Sequence, residues 1–282
     1  MYTSVYSTPT VTLVGGDEMP VVGFGTWDLS GQAVTDSVRT ALQAGYEHID
    51  TAEGYENETE VREAITDHDR EDLFLTTKVL PKHLNYNAVI ESCENSLNRL
   101  GTDYVDLYLV HWPNPAISIR ETMDAMDTLH ERGMIRNVGV CNFSSHQLRA
   151  AQHVSDVPVA TNQVEFHPWL PQTDLRAYCD REDIALIAAA PLGRTRVLAD
   201  DVIRDIADAR ARSPAQVVLR WELEKGAATI PKSSSSEHIG ENVDLFGWEL
   251  TDEEIARIDD IEHEERIYWM TDMSDDTYGI PE

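Results

Sequence analysis

Four side chains suited to proton transfer stand at the ends of short apolar runs in this sequence. Asp50, Lys78 and His111 each end such a run, and Tyr55 follows Asp50 by five residues. A lysine held near a tyrosine favours the phenolate and lowers the pKa of the phenol, and a nearby carboxylate keeps that lysine charged. An imidazole can hydrogen-bond a substrate carbonyl and stabilise charge on its oxygen. Brought together, these groups would give a proton to a carbonyl oxygen near neutral pH.

Each of these residues also has an ordinary structural explanation. Asp50 could cap a turn, Tyr55 could be a packing aromatic, and His111 could be a hydrogen-bonded core histidine. Lys78 resists such an explanation, because the chain has only four lysines and this one ends an apolar run. We therefore interpret the four residues as one site, on the condition that the fold brings the ends of their runs together.

The apolar runs alternate with helical stretches, which predicts βα units and a parallel sheet. Eight units in one uninterrupted chain fit an α/β fold of the (β/α)8 TIM barrel type, with residues 1–282 as a single domain. An open doubly wound sheet is the alternative, but residues 23–28 lack the third glycine of its nucleotide-binding signature. The residues before Val21, with Gly15-Gly16 among them, predict an N-terminal β-hairpin that closes the bottom of the barrel. The eight runs are residues 21–25, 47–50, 73–78, 105–111, 136–141, 159–164, 185–190 and 228–231.

A barrel of this type carries its active site at the C-terminal ends of its strands, where the four candidate residues stand. The helices between the strands have readable starts. Ser118, Ser144, Ser213 and Thr251 are each followed three residues later by Glu or Gln, the spacing of a capping box. Between residues 87 and 100 the apolar positions recur at helical spacing, which predicts a helix with one face on the sheet.

Charge limits the partners that this protein can bind. The chain has 51 acidic and 22 basic residues, which gives a formal net charge of −29. Such a surface repels phosphate backbones and anionic lipids, and no apolar run is long enough to span a bilayer. We therefore expect no nucleic-acid partner, no membrane partner, and a monomer or weak oligomer.

The acidity has two explanations, a solvated surface of the ordinary kind or adaptation to a high-salt cytoplasm. We favour the second, a composition of the haloarchaeal type, because the chain has nearly abandoned lysine. Cys93, Cys141 and Cys179 lack CxxC spacing, which argues against a disulfide framework or a zinc site and fits a reducing cytoplasm. The histidines also lack a recognised ligand spacing, so we expect no metal.

The chain resembles the aldo-keto reductase family over essentially its whole length, in particular a prokaryotic branch that includes diketogluconate reductases. One motif would be weak evidence, whereas seven motifs in order at predicted strand ends are specific. The motifs are GFGTW at 23–27, DTAEGYENE at 50–58, TKV at 77–79, the segment 96–113 that ends in HWP, GVCNF at 139–143, NQVE at 162–165 and IPKS at 230–233.

The resemblance implies a (β/α)8 barrel that reversibly reduces aldehydes and ketones with a nicotinamide cofactor. It implies Tyr55 as the proton donor and Lys78 as the cation that tunes it. It also implies Asp50 as the partner of Lys78, and His111 as the group that orients the carbonyl. These roles agree with the chemistry expected from the residues alone.

The resemblance also implies the contacts of the cofactor and of a small-molecule carbonyl substrate. Trp27 and Trp112 would provide apolar walls for the substrate. The tail after Glu262, with residues 268–270, is short compared with many relatives, which suggests an open pocket for sugar-derived or small keto compounds. The implied cofactor contacts are Thr26, Asp50, Cys141, Asn142, Gln163, Leu192, Lys232, Ser233, His238 and Asn242.

Three departures from the family pattern bear on the cofactor. Cys141 replaces a serine, and Ala189-Ala190 replaces an aromatic residue that would stack on the nicotinamide. His238 stands where the family has an arginine that grips a phosphate with two hydrogen bonds. Lys232 still favours NADP(H), but the missing arginine narrows that preference, so we expect NADP(H) with NAD(H) as a second cofactor.

Two other functions stay open at this point. A barrel aldolase would use Lys78 as a Schiff-base nucleophile, although Asp50 should keep that amine protonated. A regulatory or interaction subunit could bind the cofactor without significant turnover. Arg194 and Arg196, after the seventh run, are either substitute phosphate contacts or surface residues that serve solubility.

Overall fold

A short hairpin precedes eight parallel strands in this protein. The structure is a computed structural model and describes residues 8–267. All eight predicted strands are present, and their ends differ from the predicted ones by at most two residues. The hairpin strands are β1 Thr10–Thr12 and β2 Glu18–Pro20, and the parallel strands are β3 Gly23–Gly25, β4 His48–Asp50, β5 Phe74–Val79, β6 Val105–Val110, β7 Ile135–Cys141, β8 Val159–Glu165, β9 Ala185–Ala189 and β10 Ala228–Thr229.

The parallel strands close into a barrel. Their order in the sheet is their order in the chain, from β3 to β10. The sheet closes because Val22 pairs in parallel with Thr229, whose N–H donates to the Val21 carbonyl at 2.8 Å. Every residue of β5, β6 and β8 is buried, as expected for strands covered on both faces. The predicted (β/α)8 barrel is confirmed.

Helices cover the outside of the barrel. Three of the four predicted capping boxes form, at Ser144, Ser213 and Thr251. At Ser118 the helix begins as predicted, but the serine side chain makes no capping hydrogen bond. The helices of the described chain are α1 Gln32–Ala44, α2 Glu58–Ile65, α3 Tyr86–Leu100, α4 Ile119–Glu131, α5 Ser145–Val154, α6 Thr173–Arg181, α7 Asp201–Arg210, α8 Pro214–Glu224, α9 Ser236–Val243 and α10 Asp252–Asp259.

The hairpin closes the N-terminal end of the barrel. Leu13 and Met19 are buried and belong to one apolar cluster with Phe74, the first residue of β5, and other side chains of the barrel interior. Asn137 in β7 donates a hydrogen bond from Nδ2 to Asp17 Oδ2 at 2.8 Å, which fixes the hairpin turn to the barrel. With this end filled by side chains, the opposite end of the strands is left for a site.

Three further expectations concern a membrane-spanning helix, the cysteines and the C-terminal tail. Between residues 8 and 267, no helix is both long enough and apolar enough to cross a membrane. The three cysteines are buried and free. The tail residues 268–270, which we used to argue for an open pocket, lie outside the described residues.

Candidate active site

Three neighbouring strands bring the four predicted catalytic residues to one end of the barrel. Asp50 is the last residue of β4, and Lys78 is the penultimate residue of β5. His111 directly follows β6, and its backbone N–H donates to the Val79 carbonyl at 3.0 Å. Tyr55 ends a single 3₁₀ turn, Glu53–Tyr55, that follows β4. Because β4, β5 and β6 are adjacent in the sheet, these side chains meet at the mouth of the barrel.

The ammonium of Lys78 is the buried centre of this group. Its side chain is 0% exposed and forms an ion pair with Asp50. Its Nζ donates to the Thr51 carbonyl at 2.8 Å and lies 5.0 Å from the centre of the Tyr55 ring. Burial alone would lower the pKa of Lys78, but Asp50 and Tyr55 raise that pKa above its ordinary value. Lys78 is therefore a charged ammonium that Asp50 and Thr51 hold beside the phenol of Tyr55.

Tyr55 differs from the expectation drawn from the sequence. Lys78 does lower the pKa of this phenol, but burial raises it by more and Asp50 adds to the increase, so the pKa rises to about 12. The sequence predicts a pKa below the ordinary value of a phenol. The reason for the difference is desolvation, which disfavours the phenolate. Tyr55 therefore keeps its proton at neutral pH and can donate it.

His111 faces Tyr55 across the mouth. Their ring centres are 5.5 Å apart, and the ring planes are inclined by 74°. Burial lowers the pKa of His111 to about 3, and the nearby Lys78 charge lowers it further in the same direction. The imidazole is neutral at physiological pH and has one N–H donor. Its Nδ1 is buried and has no hydrogen-bond partner within residues 8–267.

A second group of predicted contacts lies on β7 and β8. Gln163 donates from Nε2 to the second carboxylate oxygen of Asp50 at 2.8 Å. The thiol of Cys141 lies 4.0 Å from Gln163 Oε1. Asn142 adopts a left-handed backbone with φ of 62°, and its Nδ2 donates to the His111 carbonyl at 3.1 Å. The structure thus brings Cys141, Asn142 and Gln163 to the catalytic group.

The two predicted substrate residues lie on different sides of the mouth. Trp27, after β3, is 46% exposed, and the Arg194 guanidinium stands 4.8 Å above its ring. Trp112 lines a cavity of about 700 Å³ together with Asn142 and residues of the segment 261–266. Both tryptophans offer aromatic surface to a molecule that enters from solvent.

The loop after β9 supplies two arginines and Leu192. Arg194 is stacked on Trp27, and Arg196 forms an ion pair with Glu265. Leu192 is half-buried and precedes a 3₁₀ turn, Gly193–Thr195. The loop therefore contacts both the segment after β3 and the C-terminal segment, and it crosses one side of the mouth.

Lys232 and Ser233 lie beyond the end of β10. The eighth run, residues 228–231, predicts a strand that ends directly before them, but β10 ends at Thr229, and the two residues form part of the segment that leads to α9. Pro231 accounts for the shorter strand, because it has no N–H for the ladder. A Cβ atom on Gly25 would lie 2.8 Å from the Ile230 carbonyl oxygen, so only glycine allows β3 to approach this segment so closely.

The last predicted contacts lie around α9 and β3. His238 is exposed in the first turn of α9, and its N–H donates to Ser235 Oγ at 3.5 Å. Asn242 is 3% exposed, and its Oδ1 has no partner among the described residues. Thr26 donates both its N–H and its hydroxyl to the Asp50 carbonyl at 3.0 Å, so it fixes the end of β4.

A comparison with protein families decides the assignment. The family model described as the aldo/keto reductase family matches residues 21–263. This chain belongs to the aldo/keto reductase family. It is therefore an oxidoreductase that acts on carbonyl compounds. Among the described residues of this aldo/keto reductase, no three His, Cys, Asp or Glu side chains are grouped so that they could hold a metal ion.

Individual relatives are similar to this aldo/keto reductase over nearly their whole length. Glyoxal reductase of Bacillus subtilis is 41% identical over 261 residues, which are 92% of this chain and 94% of that protein. The 9,11-endoperoxide prostaglandin H2 reductase of Trypanosoma cruzi is 38% identical over 263 residues, 91% of this chain and 93% of that protein. The crystal structure of a Bombyx mori aldo-keto reductase in complex with NADP has a TM-score of 0.89 at 32% identity, and the match covers 95% of this chain and 97% of that one.

Two supporting residues of this aldo/keto reductase received no role from the sequence. Asn57 is 1% exposed and donates from Nδ2 to the carbonyls of Thr26 and Leu29, at 3.0 and 3.1 Å. Glu58 accepts from Thr77 in β5 at 2.6 Å and from Arg99 in α3 at 2.7 Å. Together they fix α2, and hence the turn with Tyr55, to the strands on both sides. The available signal was a pair of polar residues that begins two positions after the candidate tyrosine.

Glu53 is a third such residue, in the same turn as Tyr55. Its Oε2 accepts from the Leu80 N–H at 3.0 Å, just after β5. Its Oε1 lies 2.9 Å from His83 Nδ1, and Ser92 Oγ donates to it at 3.3 Å. The turn is therefore held by the segment after β5, and this rigidity keeps Tyr55 beside Lys78.

Proposed function

We propose that this aldo/keto reductase reduces aldehydes and ketones to alcohols with a nicotinamide cofactor, with Tyr55 as the proton donor. The observation that carries the proposal is the buried Lys78 ammonium, which is held by Asp50 and Thr51 and lies 5.0 Å from the centre of the Tyr55 ring. Proton donation turns the phenol into a phenolate. A charged ammonium already fixed beside the phenol stabilises that phenolate without reorganisation.

Each group then has one part in the reaction. When bound, the reduced nicotinamide supplies a hydride to the carbonyl carbon. Tyr55 donates its proton to the carbonyl oxygen as negative charge develops there. The neutral imidazole of His111 donates a hydrogen bond to the same oxygen and so orients the substrate. In the reverse direction, the Tyr55 phenolate takes the proton from the alcohol.

The charge state of Lys78 also bears on the alternatives. A Schiff base requires a neutral amine, but the pKa of Lys78 is raised by Asp50 and Tyr55. Nothing in the site therefore favours the aldolase. A cofactor-binding subunit without turnover would have no need for a buried ammonium fixed beside a phenol.

The residues around the mouth fit a dinucleotide. Asn242 has a buried Oδ1 without a partner among residues 8–267, and this acceptor suits an adenine amino group. Lys232 and Ser233 offer a cation and a hydroxyl to a phosphate. We assign Asn142 and Gln163 to the nicotinamide carboxamide, and the remaining cofactor contacts are Thr26, Asp50, Cys141, Leu192 and His238.

We propose NADP(H) as the main cofactor and NAD(H) as a second one. The Bombyx mori relative was crystallised with NADP, and Lys232 provides a positive charge for a 2′-phosphate. His238 cannot form the two parallel hydrogen bonds that an arginine gives to a phosphate. His238→Arg should therefore raise the ratio of kcat/KM for NADPH to that for NADH. An unchanged ratio would remove His238 from the cofactor site.

We propose small aldehydes and keto compounds, including sugar-derived ones, as substrates. Trp27 and Trp112 are the aromatic walls in this proposal. The relatives are named for glyoxal and for a prostaglandin endoperoxide, two very different molecules. A panel should therefore contain glyoxal, small keto acids, open-chain sugars and larger apolar carbonyl compounds.

Carbonyl-dependent oxidation of NADPH by wild type and Tyr55→Phe tests the whole proposal. The phenylalanine keeps the ring and removes the proton, so we expect turnover to fall by about 10²–10⁴ with little change in the affinity for NADPH. Tyr86→Phe is a matched control, because Tyr86 is an exposed phenol at the start of α3. Turnover that survives Tyr55→Phe would overturn the mechanism, and tight NADPH binding without turnover by wild type would favour a binding subunit.

We also propose that the protein works as a single domain, in a high-salt cytoplasm, and as a monomer or weak oligomer. The support is the net charge of −29, since screening by salt reduces the repulsion among surface carboxylates. We expect the unfolding midpoint to rise in a KCl series. A midpoint that is equally high without added salt would contradict the adaptation to salt.

A further inference from the structure

The carboxylate of Asp50 is held from two sides inside the barrel. One oxygen pairs with the Lys78 ammonium, and the other accepts the Gln163 Nε2–H at 2.8 Å. Asp50 is 1% exposed and Gln163 is 3% exposed, so water does not replace either donor easily. The two donors come from β5 and β8, which lie on different sides of the barrel.

The position of the Lys78 ammonium depends on this carboxylate. The ammonium donates to Asp50 and to the Thr51 carbonyl, and it lies 5.0 Å from the centre of the Tyr55 ring. The Thr51 carbonyl is fixed by the backbone, so the carboxylate is the partner that could rotate and draw the ammonium away from Tyr55. A donor on the second oxygen of Asp50 prevents that rotation.

The amide of Gln163 has only one suitable orientation. A carboxylate accepts hydrogen bonds and cannot donate them, so the NH₂ end must face Asp50. The carbonyl end then faces the Cys141 thiol, whose Sγ lies 4.0 Å from Oε1. The Gln163 backbone carbonyl accepts the Asn142 N–H at 2.9 Å. Side chain and backbone of Gln163 are both fixed.

We propose that Gln163 is a positioning residue for the proton donor, acting on Tyr55 through Asp50 and Lys78. This role is additional to a contact with the nicotinamide, and it rests on the proposed function of Tyr55. Hydrogen bonds join Gln163 to Asp50 and Asp50 to Lys78, and the Lys78 ammonium lies 5.0 Å from the centre of the Tyr55 ring. These contacts join the side of the barrel assigned to the cofactor to the reacting phenol.

The charges around Tyr55 give the direction of the effect. Lys78 lowers the pKa of this phenol, whereas Asp50 and Cys141 raise it, and His111 faces it as a neutral ring. Without the Gln163 donor, the Asp50 carboxylate is less compensated and Lys78 is less firmly held. Both changes raise the pKa of Tyr55. Tyr55 is then a poorer acid in reduction, and less phenolate is present for alcohol oxidation.

The test compares Gln163→Met with Asn142→Gly in two quantities, kcat at saturating cofactor and the KM for NADP(H) from a series of cofactor concentrations. Methionine keeps the length of the side chain and removes the donor. Asn142 is also assigned to the nicotinamide but is not bonded to Asp50, and glycine accepts its backbone φ of 62°. For Gln163→Met we expect kcat to fall by about tenfold, the effect of one hydrogen bond to a charged group. The rise of kcat with pH in alcohol oxidation should move to higher pH, whereas Asn142→Gly should change mainly the KM for NADP(H).

The other outcomes distinguish a failure of the positioning role of Gln163 from a failure of the proposed function of Tyr55. A higher KM for NADP(H) with an unchanged pH profile in Gln163→Met would reduce Gln163 to a cofactor contact and overturn the positioning role. Wild-type turnover that Tyr55→Phe does not affect would instead overturn the proposed function. If Gln163→Met does not fold by circular dichroism, Gln163→Asn shortens the amide away from Asp50 and should give the same displaced profile.

Discussion

Asp50 and Glu222 are both buried carboxyl groups, but their surroundings are opposite. Asp50, at the mouth of the barrel, has an N–H donor on each oxygen, from Lys78 and from Gln163. Glu222, on α8, is 0% exposed, and neither of its oxygens has a hydrogen-bond partner among the described residues. The Thr229 hydroxyl on β10 is close enough to lower the pKa of Glu222 slightly, but it does not form a hydrogen bond of ordinary geometry.

The two buried carboxyl groups differ because, among the described residues, only Asp50 has N–H donors that stabilise its charged form. Burial raises the pKa of Glu222 well above its ordinary value, which favours the neutral form of this group in the folded protein. Asp50 forms an ion pair because the fold brings two donors to it from separate strands. Burial alone therefore does not mark a functional carboxyl group, whereas the number of donors around it does.

The largest effect expected from this comparison is that of Asp50→Asn. The new amide can accept only one hydrogen bond where the carboxylate accepted two, and its NH₂ end would face the donor of either Lys78 or Gln163. We expect turnover to fall by at least about 10² and the free energy of unfolding to fall by about 3–5 kcal/mol. Urea unfolding and NADPH oxidation, measured at the same pH, check both values. An Asp50→Asn variant as stable as wild type would show that the donors do not control this group.

Glu222→Gln is the same chemical change at the other carboxyl group, and its effect on the free energy of unfolding should have the opposite sign. The folded-state pKa of Glu222 is raised, so the unfolded chain loses this proton first as the pH increases above about 4.5. Wild type then loses roughly 1 kcal/mol of stability per pH unit until the folded-state pKa is reached. Glutamine cannot ionise and escapes this loss. We expect the variant to be more stable than wild type, by an amount that grows with pH.

Unfolding midpoints of wild type and Glu222→Gln at several pH values between 4 and 9 test this prediction. Below about pH 4.5 the two proteins should be equally stable, because glutamic acid is then neutral in both folded and unfolded chains. Turnover should be the same, since Glu222 lies outside the site. A difference that does not depend on pH would mean that Glu222 is ionised in the folded protein.

The fold could be predicted because its signals are local. Alternating apolar runs and helix caps indicated the eight strands and the starts of four of the ten described helices, since these depend on residues that are close in the chain. The predicted end of β10, at residue 231, was wrong. The strand ends at Thr229, and Pro231 has no N–H to continue the ladder. The predicted capping hydrogen bond at Ser118 does not form, although α4 starts where the spacing of Ser118 and Glu121 indicated.

The site was predicted less completely, because its energetics depend on distant residues. Strand ends brought Asp50, Lys78 and His111 together as expected. The predicted direction of the pKa shift of Tyr55 was wrong. Sequence spacing shows that Lys78 is near, but it does not show how much water the site excludes. The bond from Gln163 to Asp50 joins residues 113 positions apart, and no local pattern indicates it.

The smallest expected effect concerns salt, and it contrasts Glu222 with a carboxylate at the surface. Glu131 is exposed at the last position of α4, where a negative charge is unfavourable near the helix C-terminus. Glu131→Gln should therefore raise the melting temperature slightly at low salt, and the gain should vanish in concentrated KCl as screening removes both the dipole effect and the repulsion. The gain from Glu222→Gln should be the same at both salt concentrations, because mobile ions do not reach a group that is 0% exposed. A salt-dependent gain at Glu222 would mean that its carboxyl group is open to solvent and is not the neutral, enclosed group that differs from Asp50.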